Sequence, residues 1–218
     1  MKKIVTINGS PRKAGNTAHL LRAFIQGASE KGADVSEYVT HDLDIRFCSG
    51  CLRCNLLKRC SISDDDWPEL SDKILESDIL VFASPIYFHH VTASLKRVVD
   101  RFRSFVHVQI TENGLDHTPW LEWKKDFVVI LSMGSPDSAE AKPVVDLFQF
   151  ICSILGPQNR LHVLSGTRLA VLKQVDMDRD ALERLYRKLN IHGDLAIDDY
   201  HRNQELLERC YHLGFELS

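Results

Sequence analysis

Short apolar runs alternate with longer stretches in which apolar residues recur every three or four positions. The first run, Lys3–Asn8, is β-branched and predicts a strand. After it, Leu20, Leu21, Phe24 and Ala28 fall on one face of a helix that Asn16 or Thr17 can cap and Gly32 ends. Val35–Thr40 predicts a second, partly polar strand. One of Asp64, Asp65 and Asp66 caps a helix with Pro68 in its first turn, running to about Ser77. The runs "ILVFA" at Ile79–Ala83 and "FVVIL" at Phe127–Leu131 are continuously apolar, as in strands buried on both faces. Between them, Val91–Phe105 carries Leu95, Val98, Val99 and Phe102 on one helical side. A helix over Ala139–Leu155, a strand over Leu161–Leu164 and helices over Asp178–Leu189 and Ile197–Leu213 complete the pattern.

Strands and helices alternate five times, which predicts an α/β fold: a parallel sheet with helices on both faces and right-handed crossovers. At 218 residues the chain suits a single domain, with a cysteine-rich loop at 48–60 and a helical segment at about 177–214 as embellishments. The longest stretch without a clear period, His107–Lys125, is expected to be an irregular loop serving as a lid or an interface element. Trp120 and Trp123 within it suit packing at an interface or in the core.

Net charge is −3, and no run of five like charges occurs, which argues against nucleic-acid or acidic-membrane binding by bulk charge. The segment after Lys2 and Lys3 has only four residues, IVTI, before polar Asn8, too few for a signal peptide's apolar core, and no run approaches the ~20 residues of a membrane span. A cytoplasmic location is therefore expected, where thiols stay reduced and clustered cysteines serve metals or catalysis.

In a doubly wound sheet, ligands bind beyond the carboxyl ends of the strands. Three loops leaving those ends stand out. Gly9–Thr17, "GSPRKAGNT", offers close backbone approach, a helix N-terminus, and Ser10, Arg12, Asn16 and Thr17 for a phosphate. It lacks the lysine of a nucleoside-triphosphate P-loop and the spacing of a dinucleotide loop. Ser84–His90, "SPIYFHH", places Tyr87 and Phe88 beside a flat ring. His89 and His90 are adjacent and point apart, so neither is expected to bind metal. The third loop is Ser132–Ser138. Together the first two favour a flat cofactor with one phosphate over a plain βα turn.

Within Cys48–Cys60, "CSGCLRCNLLKRC", the spacing is C-x2-C-x2-C-x5-C. Each x2 step spans at most about 10 Å, so Cys48, Cys51, Cys54 and Cys60 can surround one object. A cubane cluster suits them, since each thiolate takes a different corner. A zinc ion more often uses two separated pairs, and a thiol group without metal is the third alternative. Cys152, on a helical face with Phe148, Ile151 and Leu155, and Cys210 suit the core. No side-chain acid or base stands out as catalytic.

The segments "INGSPRKAGNT" and "SDILVFASPIYFHHVTASLKRVVDRF" resemble the flavin-binding segments of the NAD(P)H-dependent FMN reductase-like branch of the flavodoxin superfamily. The resemblance runs from Met1 to about Leu164 and weakens over 107–125. It implies a flavodoxin-like three-layer sandwich with a five-stranded parallel sheet in the order 2-1-3-4-5, non-covalent FMN, and assembly as a homodimer or homotetramer. Carried across, Ser10, Arg12, Asn16 and Thr17 would hold the phosphate, and Pro85, Ile86, Tyr87 and Phe88 would lie along the isoalloxazine. Met133 and Gly134 match the third flavin loop less specifically. The cysteine spacing after the second strand resembles the iron–sulfur flavoproteins, which carry a four-iron four-sulfur cluster beside FMN. That resemblance implies a small carrier such as ferredoxin giving electrons to the cluster, which passes them to FMN and an acceptor, with NAD(P)H as the alternative donor. Two rival expectations are an NAD(P)H-dependent FMN or quinone reductase without a cluster and a zinc-stabilised binding module.

Overall fold

The computed structural model describes residues 1–218. Its parallel sheet consists of β1 (Lys3–Asn8), β2 (Asp34–Val39), β3 (Ile79–Pro85), β6 (Asp126–Ser132) and β7 (Arg160–Gly166), in the order β2-β1-β3-β6-β7. Counting parallel strands alone, that is the expected 2-1-3-4-5. The central strands β3 and β6 are buried almost throughout, whereas the edge strands β2 and β7 are half-exposed. Burial on both faces explains their unbroken apolar sequences.

Each face of the sheet has its own core. On one, α1 (Asn16–Glu30) and α7 (Leu195–Leu217) cover β1, β3 and β6 through Leu20, Leu21, Phe24, Leu206 and Cys210. On the other lie α3 (Trp67–Glu76), α4 (Ala93–Arg101) and α5 (Lys142–Leu155). There Trp67, Phe82, Phe102, Phe105, Trp123 and Phe148 form a continuous aromatic cluster with centroid separations of 4.7–6.2 Å. Trp123 thus belongs to the core. Cys152 and Cys210 are also buried, and burial pushes both thiols up to about 12.

The helices α1 and α7 cross at two glycines. A Cβ on Gly27 would overlap the Tyr211 carbonyl oxygen, and one on Gly214 would overlap that of Phe24. Small residues at both positions are what let the backbones approach. A shorter helix, α6 (Arg179–Lys188), is capped by the Asp178 side chain accepting from Ala181 N at 2.7 Å, and packs on α7 through Leu182, Tyr186 and Ala196.

Three local expectations are corrected. The stretch 107–125 is not irregular: β4 (Val106–Thr111) and β5 (Gly114–Pro119) form an antiparallel hairpin around Glu112–Asn113. Its alternation, VHVQIT, is a strand signal masked by polar outward positions. Second, neither Asn16 nor Thr17 caps α1. Gly15 stands at the N-cap without a side-chain bond, and both residues lie inside the helix. Third, α4 begins only at Ala93, capped by Thr92 accepting from Leu95 N, and tightens into a 3-10 turn over Phe102–Phe105. No helix is long and apolar enough to cross a membrane.

Candidate functional site

The carboxyl ends of β1, β3 and β6 meet around a cleft of about 230 Å³. Ser10, Arg12, Asn16, Thr17, Pro85, Ile86, Tyr87, Met133 and Gly134 all line it. Of the ten expected flavin residues, only Phe88 does not. It is fully exposed, because Tyr87 and His90 exchange backbone hydrogen bonds of 2.9 and 3.1 Å across a tight turn. Phe88 and His89 occupy that turn at φ 49° and 61°. Left-handed backbone at a bulky residue is strained, and such strain clusters at ligand sites.

The first loop is built from its own side chains. Asn8 Oδ1 accepts from Ser10 N at 2.9 Å, and Ser10 Oγ accepts from Arg12 N at 3.2 Å. These short-range bonds fold the loop so that α1 starts at its end, where the first N–H groups have no intrahelical partner and attract an anion. Two expected phosphate ligands are otherwise engaged. Asn16 Nδ2 donates to Leu169 O and Val171 O at 3.0 and 2.9 Å, and its Oδ1 accepts from Val175 N at 3.0 Å. Thr17 Oγ1 shares a 2.7 Å hydrogen bond with Ser132 Oγ. The main chain of both remains at the helix N-terminus, while Arg12 is the cation at the rim. The segment after β7, through Leu169 and Ala170, supplies a wall that the sequence had not indicated.

The second site is the cysteine loop. Cys48, Cys51, Cys54 and Cys60 line one small cavity of about 30 Å³ together with Arg101 and Arg103. Cys54 heads the short helix α2 (Cys54–Leu57) and is buried, Cys60 is half-buried, and Cys48 and Cys51 are exposed. No three metal-ligating side chains stand close enough to grip a metal ion as placed. The donor set is nonetheless suited to a cluster: four thiols, two facing guanidiniums and no carboxylate among the cavity's lining residues. Hydrogen bonds from Ser61, the Arg53 backbone and Ser49 lower the Cys51 thiol to about 7. Burial pushes the Cys54 thiol up, opposed by Arg103, whose Nη1 donates to its Sγ at 3.5 Å.

Arg101 holds the neck of this loop. Its guanidinium is fully buried, donating to Arg46 O (2.9 Å), Ile62 O (3.0 Å) and the equally buried Asp65 carboxylate (2.6 Å). It therefore ties the chain before Cys48 to the chain after Cys60. Burial raises the Asp65 pKa, but Arg101 and the N–H groups of Arg46 and Trp67 outweigh it and hold the carboxyl below its usual range. Asn55 docks the loop onto the hairpin: Nδ2 donates to Val108 O at 2.8 Å, and Oδ1 accepts from Val108 N at 3.1 Å and Arg103 at 2.9 Å. Arg101 could have been suspected from sequence, since it lies three residues after Val98 on an apolar stripe, where a charge needs a partner. Asn55 carries no such signal. A further cavity of about 310 Å³ lies between residues 57–63 and α3, with Cys60 in its wall.

A doubly wound parallel sheet in this strand order, with a cleft beyond the carboxyl ends of its central strands, defines a flavodoxin-like fold. The family model "NADPH-dependent FMN reductase" matches residues 2–166, and the chain belongs to that family. Among curated relatives, an iron–sulfur flavoprotein of Archaeoglobus fulgidus is 36% identical over 137 residues, covering 62% of this chain and 57% of that protein. One from Methanocaldococcus jannaschii is 37% identical over 101 residues, covering 46% and 52%. The chain thus spans about half the length of these relatives. A Bacillus subtilis protein, provisionally described as an NAD(P)H-dependent FMN-containing oxidoreductase, is 25% identical over 188 residues, covering 85% and 97%. Among solved structures, an azoreductase from Bacillus anthracis superposes with a TM-score of 0.66 at 13% identity, covering 99% of this chain and 100% of that one. An NAD(P)H:quinone oxidoreductase from Methanothermobacter marburgensis superposes at 0.63 and 16% identity, covering 99% and 96%. At these identities the likeness concerns the fold.

Proposed function

We propose that the protein is an FMN-dependent oxidoreductase that also carries a four-iron four-sulfur cluster on Cys48, Cys51, Cys54 and Cys60. FMN would lie in the cleft, its phosphate at the N-terminus of α1 beside Ser10 and Arg12, its ring along Pro85, Ile86 and Tyr87. A two-electron flavin beside a one-electron cluster interconverts one- and two-electron partners, chemistry that belongs to the cofactors. A one-electron carrier such as ferredoxin fits as the donor. The observation that carries this reading is that all four cysteines line a single cavity faced by Arg101 and Arg103. Arg103, whose Nη1 donates to Cys54 Sγ, offsets part of the negative charge that four thiolates bring, while the Arg101 charge is matched by Asp65. Names of relatives in the same family point the same way.

The cleft, at about 230 Å³, is below the ~300–1,000 Å³ typical of ligand pockets. Part of the flavin would project, and a second copy of the chain is the natural cover. Exposed Phe47, Leu52, Leu56 and Ile110 on the cysteine loop and hairpin are further surface for a homodimer or homotetramer. Light scattering coupled to size exclusion measures this directly.

An absorption spectrum of protein purified without oxygen, before and after dithionite, tests the two-cofactor reading. Flavin bands over a broad shoulder that bleaches support it. Flavin bands alone, without iron, favour a second reading: an NAD(P)H-dependent FMN or quinone reductase whose cysteines are metal-free. Cys51→Ala separates the two, losing iron while retaining FMN if the loop holds a cluster.

A further inference from the structure

Residues 167–175 run from the end of β7 across the mouth of the cleft. Their main chain is caught by two of the three flavin loops. Arg168 N donates to Ser135 O at 3.0 Å and Leu169 N to Met133 O at 2.8 Å. From the first loop, Asn16 takes Leu169 O, Val171 O and Val175 N, and Arg12 Nη1 donates to Ala170 O at 3.3 Å. The segment enters and leaves through left-handed backbone at two non-glycine residues, Arg168 at φ 55° and Lys173 at φ 60°. Such conformations persist only where surrounding structure over-determines them.

What over-determines them lies beyond the family model's last matched residue, Gly166. Asp199 of α7 is 1% exposed, yet it receives Arg168 Nε at 3.0 Å, the Arg202 guanidinium and the Tyr186 hydroxyl. That hydroxyl accepts from Gln174 Nε2 at 3.0 Å, and Gln174 Oε1 accepts from Val171 N at 3.1 Å. Burial, with the Asp199 carboxylate adding to it, pushes the Tyr186 hydroxyl up to about 12, so it remains a donor. One buried carboxylate therefore holds the segment at both Arg168 and Gln174. Between those two points lie Leu169 and Ala170, the cleft wall, and the carbonyl that fixes Arg12.

We propose that residues 167–175 form a strap over the phosphate end of the flavin cleft, and that Asp199 is the positioning residue that sets its place. The strap holds the Arg12 guanidinium against the site of the phosphate through Ala170 O. It acts on the phosphate end rather than the ring, because the ring's neighbours Pro85, Ile86 and Tyr87 make no bond to it. This inference rests on the flavin reading given above.

The consequence is a selective loss. Asp199→Asn and Tyr186→Phe, in the full chain, are titrated calorimetrically with FMN and with riboflavin, which lacks the phosphate. The expected result is an FMN Kd raised about tenfold, the size of one lost charge-assisted contact, with the riboflavin Kd unchanged. Hydrogen exchange without flavin should show amides 169–175 losing protection in both variants while those of β3 keep theirs. Tyr186→Phe removes a single hydroxyl and reads the proposal if Asp199→Asn does not fold. Parallel weakening of both flavins, or an unchanged FMN Kd, overturns the strap. Wild-type protein that binds neither flavin overturns the flavin reading itself, a separate failure.

Discussion

Gly27→Ala should destabilise the protein although alanine is the better helix former. In an exposed helix interior the change would gain about 1 kcal/mol. Here the added Cβ would overlap the Tyr211 carbonyl oxygen and stand 2.9 Å from its carbon and 3.0 Å from Phe215 N. The obstacle is main chain of a 23-residue helix, not the end of a flexible side chain, so α7 must move as a body. Overpacking typically costs about 1–3 kcal/mol, and a backbone obstacle belongs at the upper end. Subtracting the propensity gain leaves a net loss of about 2 kcal/mol, or a fall in Tm of about 4–8 °C at this chain length. Urea denaturation with an unchanged m-value is the assay. Gly193→Ala is the control, since a Cβ there meets nothing within 4 Å, and it should stay within about 0.5 kcal/mol of wild type. Gly214→Ala meets the Phe24 carbonyl at the same crossing, so the double variant should lose less than the two losses combined. A Gly27→Ala protein as stable as wild type would refute the close crossing.

Breaking the buried pair at the loop neck, with Arg101→Leu, should cost about 3–5 kcal/mol because it leaves Asp65 buried and unpaired. Iron should be lost as well, and the double variant Arg101→Leu/Asp65→Leu should recover much of the stability but not the iron. Because the Asp65 carboxyl is held below its usual value of 3.8, its contribution is complete above that pH and is lost as pH falls below about 4. Asp65→Asn should flatten that acid limb in a series of melts. In metal-free protein, Cys51 should alkylate with a pH midpoint near 7, whereas Cys152 and Cys210 should stay unreactive in the native state. Peptide mapping after iodoacetamide reads all three, and uniform labelling would contradict the burial.

The sheet was legible because Ile79–Ala83 and Phe127–Leu131 are short and apolar without interruption, a pattern that suits strands covered on both faces. The first cleft loop was legible from small residues placed between a strand and a helix. What stayed hidden was partnership across long separations. Asn16 reads as a cap or an anion ligand, but its amide is spent on backbone more than 150 residues away. The hairpin at 106–119 was concealed by polar residues on its open side. Phe88 looks like a flavin neighbour by its place in "SPIYF", yet a turn of two left-handed residues turns it outward. Arg101 stands out on an apolar stripe, but its partner Asp65 could be located only in the folded chain, as could those of Asp199.

The crossing of α1 with α7 also bears on when the protein matures. Residues 10–17 leave a ribosome well before α7 does, and they lead into the helix that begins the cleft. Besides the sheet, that helix packs against α7, and the strap beside it takes one of its anchors from Asp199 on α7. At about 5–20 residues per second, the emerging chain therefore carries an uncovered apolar helix face until the segment through Leu217 has been made. Completion of the cleft then becomes a late event in biogenesis, and a nascent chain halted before residue 195 would present its cleft loops without the Asp199 anchor.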